Sequence, residues 1–283
     1  MRDVTLGQYF HASSLLHRLD PRIKILSAIL LIVGLFSATS LWCYAFLTAL
    51  VLLLAAISGI PLRMILKSVR PLCFVLVFTS LIAAFMTKGD GDPFFSFLLF
   101  SRLRIEMYPE GLIRAALLSL RILLLVIATG LFLTYTTTPT SLTDALERLL
   151  HPLTYLKIPV YDFAMMMTIA LRFVPTLMEE TDRIMCAQKA RGADFSSGSL
   201  FRRIRALVPI IIPLFVSSFR RAVELATAME CRCYRGGAGR TRLRTMRCRP
   251  ADWLFLAVAA VCLAAVFVGN AYLPEPSFMR GVL

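Results

Sequence analysis

Two tripeptides hold the residue types best suited to recognition chemistry: Ala190-Arg191-Gly192 within AQKARGADF, and Cys231-Arg232-Cys233 within AMECRCYRGG. Each sets one arginine between two small residues near the end of a long helical pattern. Small flanks let a helix end approach another surface closely, where the planar guanidinium can make two parallel charge-assisted hydrogen bonds to a carboxylate. That chemistry suits a helix end plugged into an acidic groove on a partner. A local reading fits the same residues. Arginine at a helix C-terminus favours the helix dipole by roughly a few tenths of a kcal/mol, and Gly192 can serve as a helix-terminating glycine. Spacing alone leaves both readings open.

Other reactive groups are scattered. Cys231, Cys233 and Cys248 can be read as three metal ligands, but His11, His17 and His151 lie elsewhere in the chain and supply no neighbouring fourth. Small helix-packing residues are the default reading for these thiols. Seven cysteines, odd in number and several within apolar runs, imply no disulfide framework. The stretch GGAGRT, from Gly236 to Thr241, lacks the lysine and the spacing of a phosphate-binding loop. HExxH, GxSxG and clustered carboxylate pairs are absent too, so nothing recommends an enzyme. The densest charge is ECRCYRGGAGRTRLRTMRCR, where Arg232, Arg235, Arg240, Arg242, Arg244, Arg247 and Arg249 face a single acid, Glu230.

The elements that would position these residues follow from composition. Hydrophobic residues make up 58% of the 283, and the formal charge is +14, so apolar and basic segments must be segregated along the chain. The N-terminal stretch has acids, two histidines and no small-residue cleavage site after an apolar core, which excludes a signal peptide. Five runs approach the length a bilayer requires: Ile23–Thr39, Leu41–Ile60, Pro71–Met86, Gly111–Thr136 and Trp253–Leu273. Arg2, Arg18, Arg22 and Lys24, then Arg63, Lys67 and Arg70, place the N-terminus and the second connection on the inner face. The outer segment SFLLFSRLRIEMYPEG alternates and closes on Pro-Glu-Gly, as a small hairpin would. Within the fourth run, Arg114 lies near the outer end and can snorkel. Arg121 lies deeper and needs a partner, most simply a structural one.

Residues 139–250 carry 18 Lys/Arg and nine Asp/Glu, which places them on the cytoplasmic side. Ser141, three residues before Asp144, suggests a capping-box-like helix start. A long helical pattern runs from Tyr161 to Arg191, and a third helix from about Leu200 to Tyr234, where Pro209 and Pro213 predict a bend. Their apolar stretches, VYDFAMMMTIALRFVP and LVPIIIPLFVSSF, read as short or charge-interrupted segments lying at the inner leaflet interface. The runner-up makes them a sixth and a seventh span. The fold class expected is an all-α integral membrane protein, with about five transmembrane helices plus long cytoplasmic coupling helices. Its parts are 1–138 (four spans), 139–250 (coupling region) and 251–283 (last span and tail).

Over essentially its whole length the chain resembles the transmembrane T component (EcfT, CbiQ-like) of energy-coupling factor transporters. The resemblance lies in DVTLGQYFHASSLLHRLDPRIKI, TTTPTSLTDALERLL, ALRFVPTLMEETDRIMCAQKARGADF and RRAVELATAMECRCYRGGAGRTR. It also includes the closing span. In that family two X-Arg-X motifs end coupling helices that sit in grooves of two ABC-type ATPases. Carried over, the resemblance makes Ala190, Arg191, Gly192, Cys231, Arg232 and Cys233 the ATPase-docking residues, with Arg235 a possible support. The family usually has Ala and Gly around the second arginine, whereas both flanks here are cysteine.

The resemblance further implies a membrane-embedded substrate-binding S component, vitamin- or metal-sized cargo, and a multi-pass position in the bacterial cell membrane with the N-terminus cytoplasmic. ATP and Mg²⁺ would belong to the partner ATPases, with no cofactor or metal on this chain. Arg240, Arg242, Arg244, Arg247 and Arg249 then read as an anchor on anionic headgroups, worth about 1 kcal/mol each. Gly236-Gly237 would turn the chain from plug to membrane.

Two rival functions remain. A membrane-anchored nucleic-acid binder would use the basic region, but Tyr234 is its only aromatic residue, a poor stacking platform. A secondary transporter would need internal repeats and buried acids in discontinuous spans, and neither is evident.

Overall fold

The computed structural model describes residues 14–86, 95–100, 103–157, 159–193, 195, 199–236 and 248–272. Arg240, Arg242, Arg244 and Arg247 of the expected anchor lie outside the described residues, as do Gly237, the opening thirteen residues and the tail. The chain divides into two compact units, one comprising Met1–Leu142 with Met246–Leu283, the other Thr143–Thr245. The second is thus inserted in sequence between the two parts of the first.

The first unit begins with a single helical turn, α1 (Leu15–Arg18), followed by α2 (Pro21–Ser37) and α3 (Leu41–Ser58). Asp20 caps α2 by accepting the Arg22 N–H at 3.0 Å, with Pro21 in the first helical position. Gly59, at φ +67°, ends α3 in the left-handed region. α4 (Leu62–Val69), a 3₁₀ turn and α5 (Cys73–Met86) follow. The third expected run therefore has a helical lead-in, and Arg63–Ala83 qualifies as one stretch long and apolar enough to cross a membrane.

The expected hairpin is present. β1 (Phe95–Phe100) pairs antiparallel with β2 (Leu103–Met107), with Phe97 opposite Ile105. α6 (Pro109–Thr129) continues into a π-helical segment, Gly130–Tyr135, and α10 (Pro250–Tyr272) completes the unit. Its core includes Leu35, Tyr44, Leu47, Leu131, Phe132 and Val266, contributed by α2, α3, the π segment and α10.

Two polar clusters fasten these apolar helices. The first lies where α2 and α10 begin. Lys24, only 1% exposed, donates from Nζ to the Thr136 carbonyl at 2.8 Å. The Thr136 and Thr137 hydroxyls both donate to the Phe132 carbonyl at 3.0 Å. The wide π turn leaves carbonyls without helical partners, and these three side chains supply donors. Alongside, the buried Asp252 accepts the Asp20 N–H at 3.2 Å and the Arg249 N–H at 2.7 Å. Lys24 therefore points inward rather than joining the flanking surface charge expected of it.

The second cluster sits at the α2–α3 turn. Arg121 donates from Nη2 to the Ala38 carbonyl at 2.9 Å and to the Tyr44 hydroxyl, and its guanidinium lies 5.5 Å from the Tyr44 ring centroid. Asn270 accepts the Thr39 N–H at 3.2 Å and donates to the Ser37 carbonyl. The structural partner expected for Arg121 is thus the carbonyl end of α2 and an aromatic face.

The second unit contains most of α7 (Pro139–Leu150), then α8 (Val160–Ala190) and α9 (Leu200–Cys231). α7 starts earlier than Ser141. The Thr138 Oγ1 accepts the Ser141 N–H at 3.4 Å, and Pro139 fits the first helical position, where no amide hydrogen is needed. α8 and α9 run 31 and 32 residues without a break, through Pro175 and through Pro209 and Pro213 respectively.

Six stretches among the described residues are long and apolar enough to cross a membrane. Four are Leu41–Ser58, Arg63–Ala83, Gly111–Tyr135 and Pro250–Tyr272, matching expected spans. The others, Val160–Ala190 and Ile204–Cys231, belong to α8 and α9. Both helices were expected to be long, but their apolar stretches were read as too short or charge-interrupted to span, with a sixth and a seventh span as the runner-up. Their continuity through proline removes the length objection. The first expected span is α2, of 17 residues.

Candidate functional site

α8 and α9 pack against each other and run antiparallel. Arg221 Nη2 of α9 meets Glu180 Oε2 of α8 at 3.0 Å, and Tyr234, beyond the end of α9, places its hydroxyl 3.0 Å from Met165 Sδ near the start of α8. Ile169, Phe173, Ala222, Leu225 and Met229 line a shallow cavity at this end of the pair. Met165 precedes Arg191 by about 26 residues, so at 1.5 Å per residue the two helix ends stand on the order of 40 Å apart along α8.

Both ends terminate in the same way. Ala190 is the last residue of α8 and Arg191 its cap. The Gly192 N–H donates to the Lys189 carbonyl, and the Ala193 N–H to the Gln188 carbonyl, both at 3.0 Å. Gly192 adopts φ +84°. At α9, Cys231 is the last helical residue and Arg232 the cap. The Cys233 N–H donates to the Glu230 carbonyl at 2.9 Å, and the Tyr234 N–H to the Met229 carbonyl at 3.0 Å, with Cys233 at φ +55°. Both are Schellman motifs, in which paired bonds satisfy the last carbonyls and a left-handed residue turns the chain away. The arginine occupies the equivalent cap position in each.

Arg191, Gly192, Arg232 and Cys233 are exposed, as are Ala190 and Cys231. Among the described residues neither cap guanidinium has a hydrogen-bond or ion-pair partner, which leaves its full donor set available. Arg235 is exposed as well, and Arg249 is exposed at the start of α10. Cys248 instead donates to Asp20 Oδ2 at 3.6 Å. Although the residue as a whole is exposed, partial desolvation of the thiol, the Asp20 charge and this bond push its pKa up against the lowering effect of Arg22. No group of three His, Cys, Asp or Glu side chains among the described residues could hold a metal ion.

The structure places the two tripeptides at opposite ends of one helix pair, each in a matching turn. Sequence reasoning missed three contributors: Tyr234 as the residue that folds back, the Glu180–Arg221 pair, and Cys233 as a left-handed turn. Only the alignment of Gly192 with Cys233, each following an arginine, signalled the last of these.

The chain matches the CbiQ family, described as cobalt transport protein, over residues 12–243. It belongs to that family. It is 45% identical over 268 residues to the energy-coupling factor transporter transmembrane protein EcfT of Ruminiclostridium cellulolyticum, covering 95% of this chain and 97% of that protein. It is similar to the proteins of the same name from Brevibacillus brevis, 48% identical over 266 residues, and Bacillus subtilis, 44% over 246. Those matches cover 94% and 87% of this chain, and 97% and 90% of the two relatives. With its long apolar helices, this CbiQ-family chain is a multi-pass membrane protein, a transmembrane component of the EcfT type.

Proposed function

We propose that this chain is the transducer of an energy-coupling importer in the bacterial cell membrane, with its N-terminus cytoplasmic. The Arg191 and Arg232 helix ends dock into acidic grooves of two ABC-type ATPases. The observation that carries this reading is the matched pair of arginine-capped ends, facing outward at opposite ends of one helix pair. Two plugs on the order of 40 Å apart suit two subunits rather than one. When the ATPases close on ATP, differential contact with the two ends moves α8 against α9. The Glu180–Arg221 pair and the Tyr234–Met165 contact are the points at which that motion is shared.

The displaced surface is apolar. Ile211, Ile212, Phe215, Val216 and Phe219 of α9 are more than half exposed, and they offer a face for a membrane-embedded S component that carries a vitamin- or metal-sized cargo. ATP and Mg²⁺ belong to the ATPases, and the chain binds no cofactor and performs no catalysis itself. Arg240, Arg242, Arg244, Arg247 and Arg249 hold the connection to α10 against anionic headgroups.

The test is capture of tagged chain in nanodiscs from its native membrane, with mass spectrometry of the proteins retained. Removing one partner of a desolvated ion pair costs about 3–5 kcal/mol, so Arg191→Ala and Arg232→Ala should each release an ATPase. Arg244→Ala should not. Equal loss from Arg244→Ala would refute the division of labour, and absence of ATPases from wild type would refute docking.

A further inference from the structure

The two helix ends differ at one position that matters chemically. Gly192 takes the left-handed turn of α8 with no Cβ, and nothing lies within 4 Å of where one would stand. At α9 the same turn is taken by Cys233, a side chain that rarely adopts φ +55°. Its strain is tolerated at the very residue that follows the arginine, and strain held at one point is a reason to look for function there. Cys231, two residues earlier, is also a free, exposed thiol, as is Cys233 itself. Their Cα separation is set by the intervening Arg232, whose φ −91° and ψ 15° stay near the helical turn, and a helical turn separates residues i and i+2 by ~5.4 Å, inside the roughly 4.4–6.8 Å that a disulfide spans. Cys186, exposed on α8, has no second cysteine at such spacing.

We propose that Cys231 and Cys233 form a reversible thiol–disulfide modification site that controls presentation of Arg232. This rests on the docking role of Arg232. The oxidant is a low-molecular-weight disulfide, RSSR. The thiolate of one cysteine attacks RSSR, forming a mixed disulfide and expelling RS⁻. The second thiolate attacks the protein sulfur of that mixed disulfide, forming the intramolecular bond and expelling the second RS⁻. The pair loses two electrons and two protons, and RSSR becomes two RSH. A dithiol reductant reverses both steps.

Ring closure acts on the turn itself. Cys231 is the last helical residue and Cys233 stands in the left-handed turn, so drawing the two sulfurs into one short ring across a single residue requires the backbone at Arg232 to rotate. The Cys233→Glu230 and Tyr234→Met229 hydrogen bonds then break, and Tyr234 leaves Met165. The arginine loses its defined direction. The α8 plug, built on Ala190 and Gly192, has no thiol beside its arginine and is untouched. One ATPase is released and the other kept.

The experiment uses the full chain in nanodiscs, treated with oxidised glutathione and then with dithiothreitol. Peptide mass mapping reads the loss of two hydrogens between Cys231 and Cys233, and capture from native membrane reads the ATPases. Each protein is compared with its own reduced form. Wild type should form the ring and lose at least about tenfold of one ATPase, as expected for a broken desolvated pair, and recover it on reduction. The Cys231→Ala/Cys233→Ala variant should show an oxidised-to-reduced ratio near one. Failure of the ring to form, or a ring without loss of an ATPase, overturns the inference. If reduced wild type captures no ATPase, the docking reading fails and control of docking falls with it. A ring that fails to form while docking persists removes the inference alone.

Discussion

If both arginines are presented by the same backbone device, exchanging the left-handed residue should loosen one end and tighten the other. The perturbations are Gly192→Ala and Cys233→Gly, made separately. No atom lies within 4 Å of a Cβ built on Gly192, so the alanine meets no clash and its cost is torsional. A non-glycine residue in the left-handed region costs roughly 1–2 kcal/mol. That is about a 5- to 30-fold shift in a local opening equilibrium. The sign reverses for Cys233→Gly, which removes the same torsional penalty from φ +55°.

Hydrogen exchange in nanodiscs reads the effect at the amides that close the two turns, Gly192 and Ala193 in α8, and Cys233 and Tyr234 in α9. Protection of the first pair should fall about 5- to 30-fold in Gly192→Ala, and protection of the second should rise by a similar factor in Cys233→Gly. Capture of the corresponding ATPase should follow each change in the same direction. Unchanged protection in both variants would refute the view that the left-handed turn holds these ends.

Further expectations attach to other contacts. Lys24→Met keeps the side-chain bulk but leaves the buried Thr136 carbonyl without its donor, so thermal unfolding in detergent should show a loss of about 1–3 kcal/mol. A Glu180→Gln and Arg221→Met double-mutant cycle should give a coupling of only about 0.2–1 kcal/mol, because both partners of that ion pair are part-exposed. A larger value would mean the pair is shielded once a partner is docked. Alkylation at neutral pH should be slower at Cys248 than at Cys186, although both residues are exposed. Partial desolvation and the Asp20 carboxylate raise the Cys248 pKa and so keep the thiol protonated. Rates should converge as pH rises, and equal rates at neutral pH would contradict the placement of Asp20 beside it.

What the sequence disclosed depended on whether a signal is carried by hydropathy or by geometry. The spans at Leu41–Ser58 and Pro250–Tyr272 were legible because length and apolarity alone define them. The 95–107 hairpin was legible from alternation. Arg121 announced its need for a partner by being a charge deep in an apolar run, though not that Ala38 and Tyr44 would meet it. Lys24 was misplaced because charge counting near a span says nothing about which way a flexible stem turns. It turns inward here because a π segment leaves a buried carbonyl in need of a donor more than a hundred residues later. At Thr138 the cap was hidden by a run of hydroxyl residues, any of which could have served. Arg191 and Arg232 were visible as motifs. That both close Schellman turns was only half visible, since Gly192 advertises a positive φ and Cys233 does not.

The tie between Asp20 and Asp252 has a consequence in time. Asp252 is made 232 residues after Asp20, and at ~5–20 residues per second that interval is on the order of 10–45 s. Until α10 arrives, α2 waits beside α3 and α6 without Asn270 on one end or Asp252 on the other. The whole of Thr143–Thr245 is synthesised during that wait. The first unit therefore completes itself last, and α10 serves as a clasp that shuts only once everything between has been made.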